Sequence, residues 1–264
     1  MTGRMTGRMT GPLVYPDLVG RVAVVTGGSR GSGAATARAL AAAGVAVAVV
    51  GRDRAAIDAT VDGIAVDGGR AIGVAADCTV EDDVRRMRQT VTTALGPVDI
   101  LAAFAGGGGM PVPSLDETAG HWREVIEGDL TSTFLTVSTF LRDMTGRESG
   151  AIVTMSSAAA RQPARSSAAY AAAKAGVIAF TRHLAREVGP LGVRINCIAP
   201  SAIETERMRA WVSEDVRRQL REHFPLGRLG QPEDCAAAAL FLASSASSWI
   251  TGVTLDVAGG RIMV

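Results

Sequence analysis

Apolar residues in this chain come in short unbroken blocks, separated by longer stretches in which polar and apolar positions alternate at helical spacing. Blocks such as V-A-V-V-T at 22–26, V-A-V-A-V-V at 45–50 and A-I-V-T-M at 151–155 read as strands. With the remaining blocks they predict strands near 21–26, 45–50, 71–76, 98–104, 150–155, 193–198 and 253–257. A strand that is apolar at every position, rather than at every second one, needs cover on both faces. The intervening segments supply that cover, with helices expected at 30–43, 81–95, 119–143, 167–188 and 232–243. Strand and helix in strict alternation predict an α/β fold: a doubly wound parallel sheet of about seven strands with helices on both faces. In such a sheet a ligand sits outside the carboxyl ends of the strands. The stretch 201–230 breaks the rhythm; it is polar and arginine-rich, with Trp211, Phe224 and Pro225.

Composition narrows the picture without changing it. A chain of 264 residues, 47% of them hydrophobic, suffices for one domain with a large core, placed here at 18–264. A net charge of +1 gives no electrostatic footprint for nucleic acid or an anionic membrane surface. No apolar run reaches the roughly 18–20 residues of a membrane span. Cys78, Cys197 and Cys235 are scattered and odd in number, which argues for free thiols in a reducing cytoplasm. His121, His183 and His223 have no metal-ligand spacing, and no metal site is expected. Residues 1–17 open on a repeated M-T-G-R unit without the apolar core of a secretory signal, and read as a flexible tail.

Two local patterns carry chemistry. Tyr170 and Lys174 lie four apart in Y-A-A-A-K, so a helix puts phenol and ammonium on one face. A neighbouring ammonium favours a phenolate and so suits a phenol to acid/base work. Ser157, thirteen residues before the tyrosine, adds a hydroxyl to hold a carbonyl oxygen. The second pattern is T-G-G-S-R-G-S-G at 26–33, between a strand and an alanine-rich helix. Glycines at that junction let backbone approach a pyrophosphate, and the helix N-terminus offers free N–H groups and a favourable dipole.

Together, T-G-x-x-x-G-x-G followed by S-x12-Y-x3-K resembles the short-chain dehydrogenase/reductase family, in its compact single-domain branch, which includes 3-oxoacyl-[acyl-carrier-protein] reductases. Asp77, V-D-I-L at 98–101, R-I-N-C-I-A-P at 194–200, P-L-G-R-L-G-Q-P-E-D at 225–234 and I-T-G-V-T-L-D-V-A-G-G at 250–260 extend the likeness across nearly the whole chain. The resemblance implies a Rossmann-type nucleotide-binding domain, an oxidoreductase activity on ketones or secondary alcohols, and a substrate lid at about 201–230. It also implies homotetramers, through helices that pair between subunits.

Site roles follow from the resemblance residue by residue. Gly27, Ser29, Arg30, Gly31 and Gly33 are expected along the pyrophosphate and adenosine. Asp77, with the Cys78 amide beside it, is expected at the adenine, and Ala105 and Gly106 at the adenosine ribose. Pro200, Ile203 and Thr205 are expected to flank the nicotinamide. Lys174 is expected to bind the nicotinamide ribose and tune Tyr170, the acid/base, while Ser157 holds the substrate oxygen. Relatives that prefer NAD(H) place an acid at the end of the second strand; here Arg52 takes that position, with Arg30 in reach. Two guanidinium groups suit a 2′-phosphate, so NADP(H) is the expected cofactor. Asp53 next to Arg52 is the competing acid.

The chain also departs from the family pattern. Ala103 and Phe104 replace a pair of asparagines after the fourth strand, Asp129 stands where an asparagine supports a proton relay, and Ser201 replaces a glycine. Asp129 is therefore included with Ser157, Tyr170 and Lys174 in the expected catalytic group: it can hold a water, and as an anion it also stabilises the Lys174 ammonium, an ion pair in which the lysine tunes the tyrosine less effectively. Three functions fit: an NADP(H)-dependent ketoreductase or alcohol dehydrogenase, a non-catalytic NADP(H)-binding sensor or scaffold, and an isomerase with a transient redox step. The substrate loops, 107–112, 158–161 and 201–230, carry no signature; Arg161, Arg207 and Arg209 are their candidates for meeting an anionic substrate.

Overall fold

Strands β1 (Val22–Thr26), β2 (Ala46–Gly51), β3 (Arg70–Ala75), β4 (Ile100–Ala103), β5 (Gly150–Met155), β6 (Val193–Pro200) and β7 (Thr254–Val257) form one parallel sheet in the order β3-β2-β1-β4-β5-β6-β7. The computed structural model describes residues 15–107 and 110–263. The first fourteen residues of the expected tail, and Gly108 and Gly109 of the expected substrate loop, lie outside that range. Strand order reverses between β1 and β4, where Thr26 is in register with Ala103. The crevice opens at that switch point, above the carboxyl ends of the strands.

The sheet is buried on both sides, which accounts for its unbroken apolar strands. One face carries Val24, Leu101, Ile152 and Ile195 against Val84, Met87, Val137 and Phe140 of helices α3 (Glu81–Leu95) and α5 (Ser132–Gly146). The other carries Val25, Ile100, Ala102 and Val153 against Leu40, Ile57 and Leu240. Those three belong to α1 (Gly31–Ala42), α2 (Arg54–Val66) and α9 (Pro232–Ala243).

Three details differ from the sequence reading. Tyr15 packs on the second core layer, and Asp17 accepts a hydrogen bond from the Ser245 amide at 2.7 Å, so the packed chain begins before residue 18. Helix α2 was not among the expected helices. The helix expected at 119–143 is two, α4 (Ala119–Ile126) and α5, joined through a π-turn at Glu127–Thr131. The remaining helices are α6 (Ala168–Val188) and, within 201–230, α7 (Glu206–Trp211) and α8 (Glu214–Arg221). A parallel bridge between Ile203 and Gly230 closes the base of that segment. No helix among the described residues is long and apolar enough to cross a membrane.

Candidate active site

Glycine is a steric requirement at the turn between β1 and α1. A Cβ on Gly33 would stand 2.1 Å from the Gly27 carbonyl oxygen, and one on Gly27 2.7 Å from that of Phe104. Gly27 and Gly31 also have positive φ, +65° and +53°. Helix α1 has no side-chain cap at Arg30, which leaves its first N–H groups facing the crevice. A cradle of this shape fits a dinucleotide pyrophosphate. Thr205, just before α7, has a carbon 3.1 Å from where a Gly31 Cβ would be, and it caps that helix by accepting from the Met208 amide.

At the ends of β2 and β3 the structure brings together four of the expected side chains. Arg30 and Asp53 pair at 2.5 Å, and Asp53 also caps α2 by accepting from the Ala56 amide at 3.1 Å. That cap, and then the Arg30 guanidinium, hold the Asp53 carboxyl below its usual range. Arg52 is exposed at the end of β2, 3.9 Å from Asp77. Asp77 Oδ1 accepts from the Thr79 amide at 2.9 Å and its hydroxyl at 2.7 Å, bonds that keep this carboxyl ionised below its usual range. The Cys78 side chain turns into the core, where burial pushes its thiol up to about 11. Ser29 is held through its carbonyl, which accepts from Thr60 at 3.2 Å.

The catalytic candidates converge on α6. Ser167 caps this helix by accepting from the Tyr170 amide at 3.1 Å, which sets the tyrosine on the first turn. One turn on, the Lys174 Nζ lies 5.7 Å from the Tyr170 ring centroid. The ammonium is buried and meets Asp129 Oδ1 at 2.9 Å and the Met155 carbonyl at 3.1 Å. Burial alone would push the lysine pKa down; the Asp129 carboxylate, with a contribution from Tyr170, outweighs it and leaves the pKa raised. Asp129 is presented by the π-turn, a local widening of the helix often found at functional sites. The same Oδ1 accepts from the Gly107 amide at 2.8 Å, and a Cβ on Gly106 would lie 2.3 Å from it. Glycine at 106 (φ +134°) is what lets the loop after β4 close on the carboxylate.

Ser157 follows β5 and caps the short turn Ala158–Ala160, its Oγ accepting from the Ala159 amide at 3.2 Å. Its neighbour Ser156 donates to the Lys174 carbonyl at 2.7 Å, which fastens the serine segment to α6. Pro200 ends β6, and Ile203 is half-buried beside the bridge to Gly230.

Sequence reasoning missed several supports. Thr26 is fully buried, and its Oγ1 accepts from the Phe104 and Ala105 amides, each at 3.1 Å. This hydroxyl ties β1 to the end of β4 while the Phe104 side chain packs in the core. Met155 and Gly107 act through backbone atoms and leave no signal in residue type. Arg161 was grouped with the substrate loop, but it forms a two-pronged pair with Asp256 at 3.0 and 2.8 Å, mostly buried on both sides. Among the described residues there is no cluster of three or more acidic, histidine or cysteine side chains suited to a metal ion.

A family model described as enoyl-(acyl carrier protein) reductase matches residues 27–261. The chain is 40% identical to cis-4-hydroxycyclohexanecarboxylate dehydrogenase of Sinomonas cyclohexanicum, an alignment covering 92% of this chain and 97% of that protein. It is 37% identical to 3-oxoacyl-[acyl-carrier-protein] reductase of Vibrio cholerae, over 94% of this chain and all of that one. Among solved structures, 7α-hydroxysteroid dehydrogenase complexed with NADH and 7-oxoglycochenodeoxycholic acid superposes with a TM-score of 0.89 at 33% identity. That match covers 95% of this chain and 97% of the other.

Proposed function

The chain belongs to the short-chain dehydrogenase/reductase family, and from that premise we propose that it exchanges hydride between NADP(H) and a ketone or secondary alcohol, with Tyr170 as acid/base. The observation that carries this reading is the buried Lys174 ammonium, fixed by Asp129 and Met155 beside the Tyr170 ring. A cation held there stabilises negative charge on the phenol oxygen, and a fixed one does so without reorganising during the reaction.

The cofactor's phosphates would lie on Gly27, Gly31 and Gly33, its adenine by Asp77 and Cys78, and its adenosine ribose along Ala105 and Gly106. Pro200, Ile203 and Thr205 would flank the nicotinamide, which when bound supplies or receives the hydride. An ammonium has three N–H donors; Asp129 and Met155 take two, and the third is left for the nicotinamide ribose. Ser157 donates to the substrate oxygen, and Tyr170 gives that oxygen a proton as charge develops on it. In the opposite direction Tyr170 takes the proton from the alcohol.

Two features favour NADP(H) over NAD(H). Asp53, the acid that competes with Arg52 at the end of β2, is already engaged by the Ala56 amide and Arg30. Arg52, with a side chain 79% exposed, is available to a 2′-phosphate. The three free, buried thiols suit a reducing compartment, and we place the protein in the cytoplasm.

The test is oxidation of NADPH and NADH across cyclic ketones, 3-oxoacyl thioesters and keto sugars, with Tyr170→Phe in parallel. Turnover should be faster with NADPH and fall by at least about a thousandfold in the variant, with NADPH affinity retained. A variant as active as the parent would remove Tyr170 from the chemistry.

A further inference from the structure

Three arginines near the substrate loops were open candidates for meeting an anionic group, and their surroundings now separate them. Arg161 is neutralised by Asp256. Arg209 points back to the Glu204 carbonyl at 3.3 Å, at the base of its own helix. Arg207 reaches across the cleft: its Nη1 donates to the Gly107 carbonyl at 2.7 Å. Its guanidinium lies over the Trp211 ring, 4.3 Å from the centroid.

Charge pairing within the flap leaves Arg207 and Arg209 without a carboxylate among the described residues, and of these two Arg207 is the one that reaches the loop after β4. Arg217 and Arg221 meet Glu204 and Glu214, Arg218 meets Asp215, and Arg228 meets Asp234. Arg207 meets no carboxylate among the described residues; its one hydrogen-bond acceptor there is a neutral carbonyl. An arginine stacked on an indole has its plane fixed and its edge presented, which is the arrangement that receives a carboxylate through two parallel hydrogen bonds.

A relay of contacts links it to the reacting centre. The Gly107 carbonyl bonds Arg207, the Gly107 amide bonds Asp129, Asp129 pairs with Lys174, and Lys174 lies beside the Tyr170 ring. Thr205, not Arg207, is the flap residue set against Gly31 of the phosphate turn. An anion at Arg207 is therefore better supplied by the substrate than by the cofactor's phosphates. We propose that Arg207 is a specificity residue that receives a carboxylate on the substrate, so that this enzyme works on keto or hydroxy acids whose carbinol carbon sits at Tyr170 and whose carboxylate sits under the flap. The inference rests on the redox reading given above and adds the class of substrate. It also explains why the contact to Gly107 is a single bond to a neutral oxygen, readily exchanged for an anion.

The experiment compares ketones that differ only in charge, 4-oxocyclohexanecarboxylate and its methyl ester with further matched acid and ester pairs, in the parent enzyme, Arg207→Met and Arg207→Lys. The parent should prefer the acids. Arg207→Met should lower kcat/KM for the acids about tenfold or more, mainly through KM, and leave the esters within about twofold. Arg207→Lys should recover part of the loss. Three results would overturn the proposal: no acid preference in the parent, an equal fall for acid and ester, or a weakened NADPH Kd in Arg207→Met by fluorescence titration. The last would assign the arginine to the cofactor's phosphates. Absence of turnover with every ketone would instead defeat the redox reading, and this inference with it; turnover without discrimination defeats the inference alone.

Discussion

At the scale of single residues, the most consequential choice in this chain is an aspartate where an uncharged amide is usual in its family. Asp129 and Lys174 are both almost fully buried, and neither charge would be tolerated there without the other. Burial drives the lysine toward its neutral form; the carboxylate more than reverses this, so the ammonium persists past its ordinary alkaline range. The sign of the linkage follows. With the lysine pKa raised, the functional cation is present throughout the neutral range and is lost only as pH climbs through that raised value. Asp129→Asn keeps an oxygen for Gly107 and Nζ but removes the charge, leaving desolvation to dominate. The alkaline limb of kcat/KM should then move to lower pH by about one unit or more, and NADPH binding should weaken over the same interval. Matched pH profiles of parent and variant check this; superimposable profiles would reduce Asp129 to a spacer. Asp129→Ala, which strands the ammonium, should cost about 3–5 kcal/mol in denaturant unfolding.

Elements show where sequence pattern is informative and where it stops. The strands were legible, most clearly β1, β2, β4 and β5 of the interior, where cover on both faces demands nearly unbroken apolar runs and little else produces them. Helix α2 was overlooked although Ile57, Thr60 and Ile64 mark its buried stripe; the valines, threonine and glycine in it dilute helical propensity. The π-turn in 119–143 had a faint mark in Gly128, a poor helix former, but one extra residue in a turn does not disturb an apolar stripe enough to be read. Tyr170, Lys174 and Ser157 were legible because their chemistry lies in side chains at fixed spacing. The Met155 carbonyl, the Gly107 amide and the Thr26 tie were not, since two are backbone groups and the third is a buried hydroxyl whose partners lie on another strand. The phosphate turn gives the clearest prediction at this scale. Gly33→Ala would put a methyl 2.1 Å from the Gly27 oxygen, backbone against backbone, so the β1–α1 junction must move. NADPH affinity should fall at least about tenfold and stability by about 1–3 kcal/mol, read by fluorescence titration and denaturant unfolding. Gly146→Ala, where an added Cβ meets nothing within 4 Å at the end of α5, is the control and should leave NADPH affinity unchanged and stability unchanged or slightly raised.

For the whole molecule, the open question of assembly follows from what the two-layered core leaves uncovered. Phe134 on α5 is 49% exposed and meets Phe180 of α6 edge-to-face, with ring centroids 6.2 Å apart. An aromatic pair shared by two long helices makes an apolar face of the kind subunits bury. A second such face lies at the far edge of the sheet, where Trp249 is 99% exposed, Val253 precedes β7 and Leu255 lies within it, both exposed. Both faces stay exposed in the folded chain, so neither covers the other. If each pairs with its own copy about a twofold axis, the closed assembly contains four subunits. We therefore expect a tetramer by light scattering. Phe134→Glu places a charge in the middle of the helical face and leaves the β7 edge intact, so it should yield dimers, not monomers. A parent that runs as a clean monomer would show that these faces serve another purpose. A variant that dissociates fully to monomers would show that the helical face alone holds the assembly together. Because α6 carries both Phe180 and the Tyr170–Lys174 pair, the dimeric variant should also lose thermal stability at that helix.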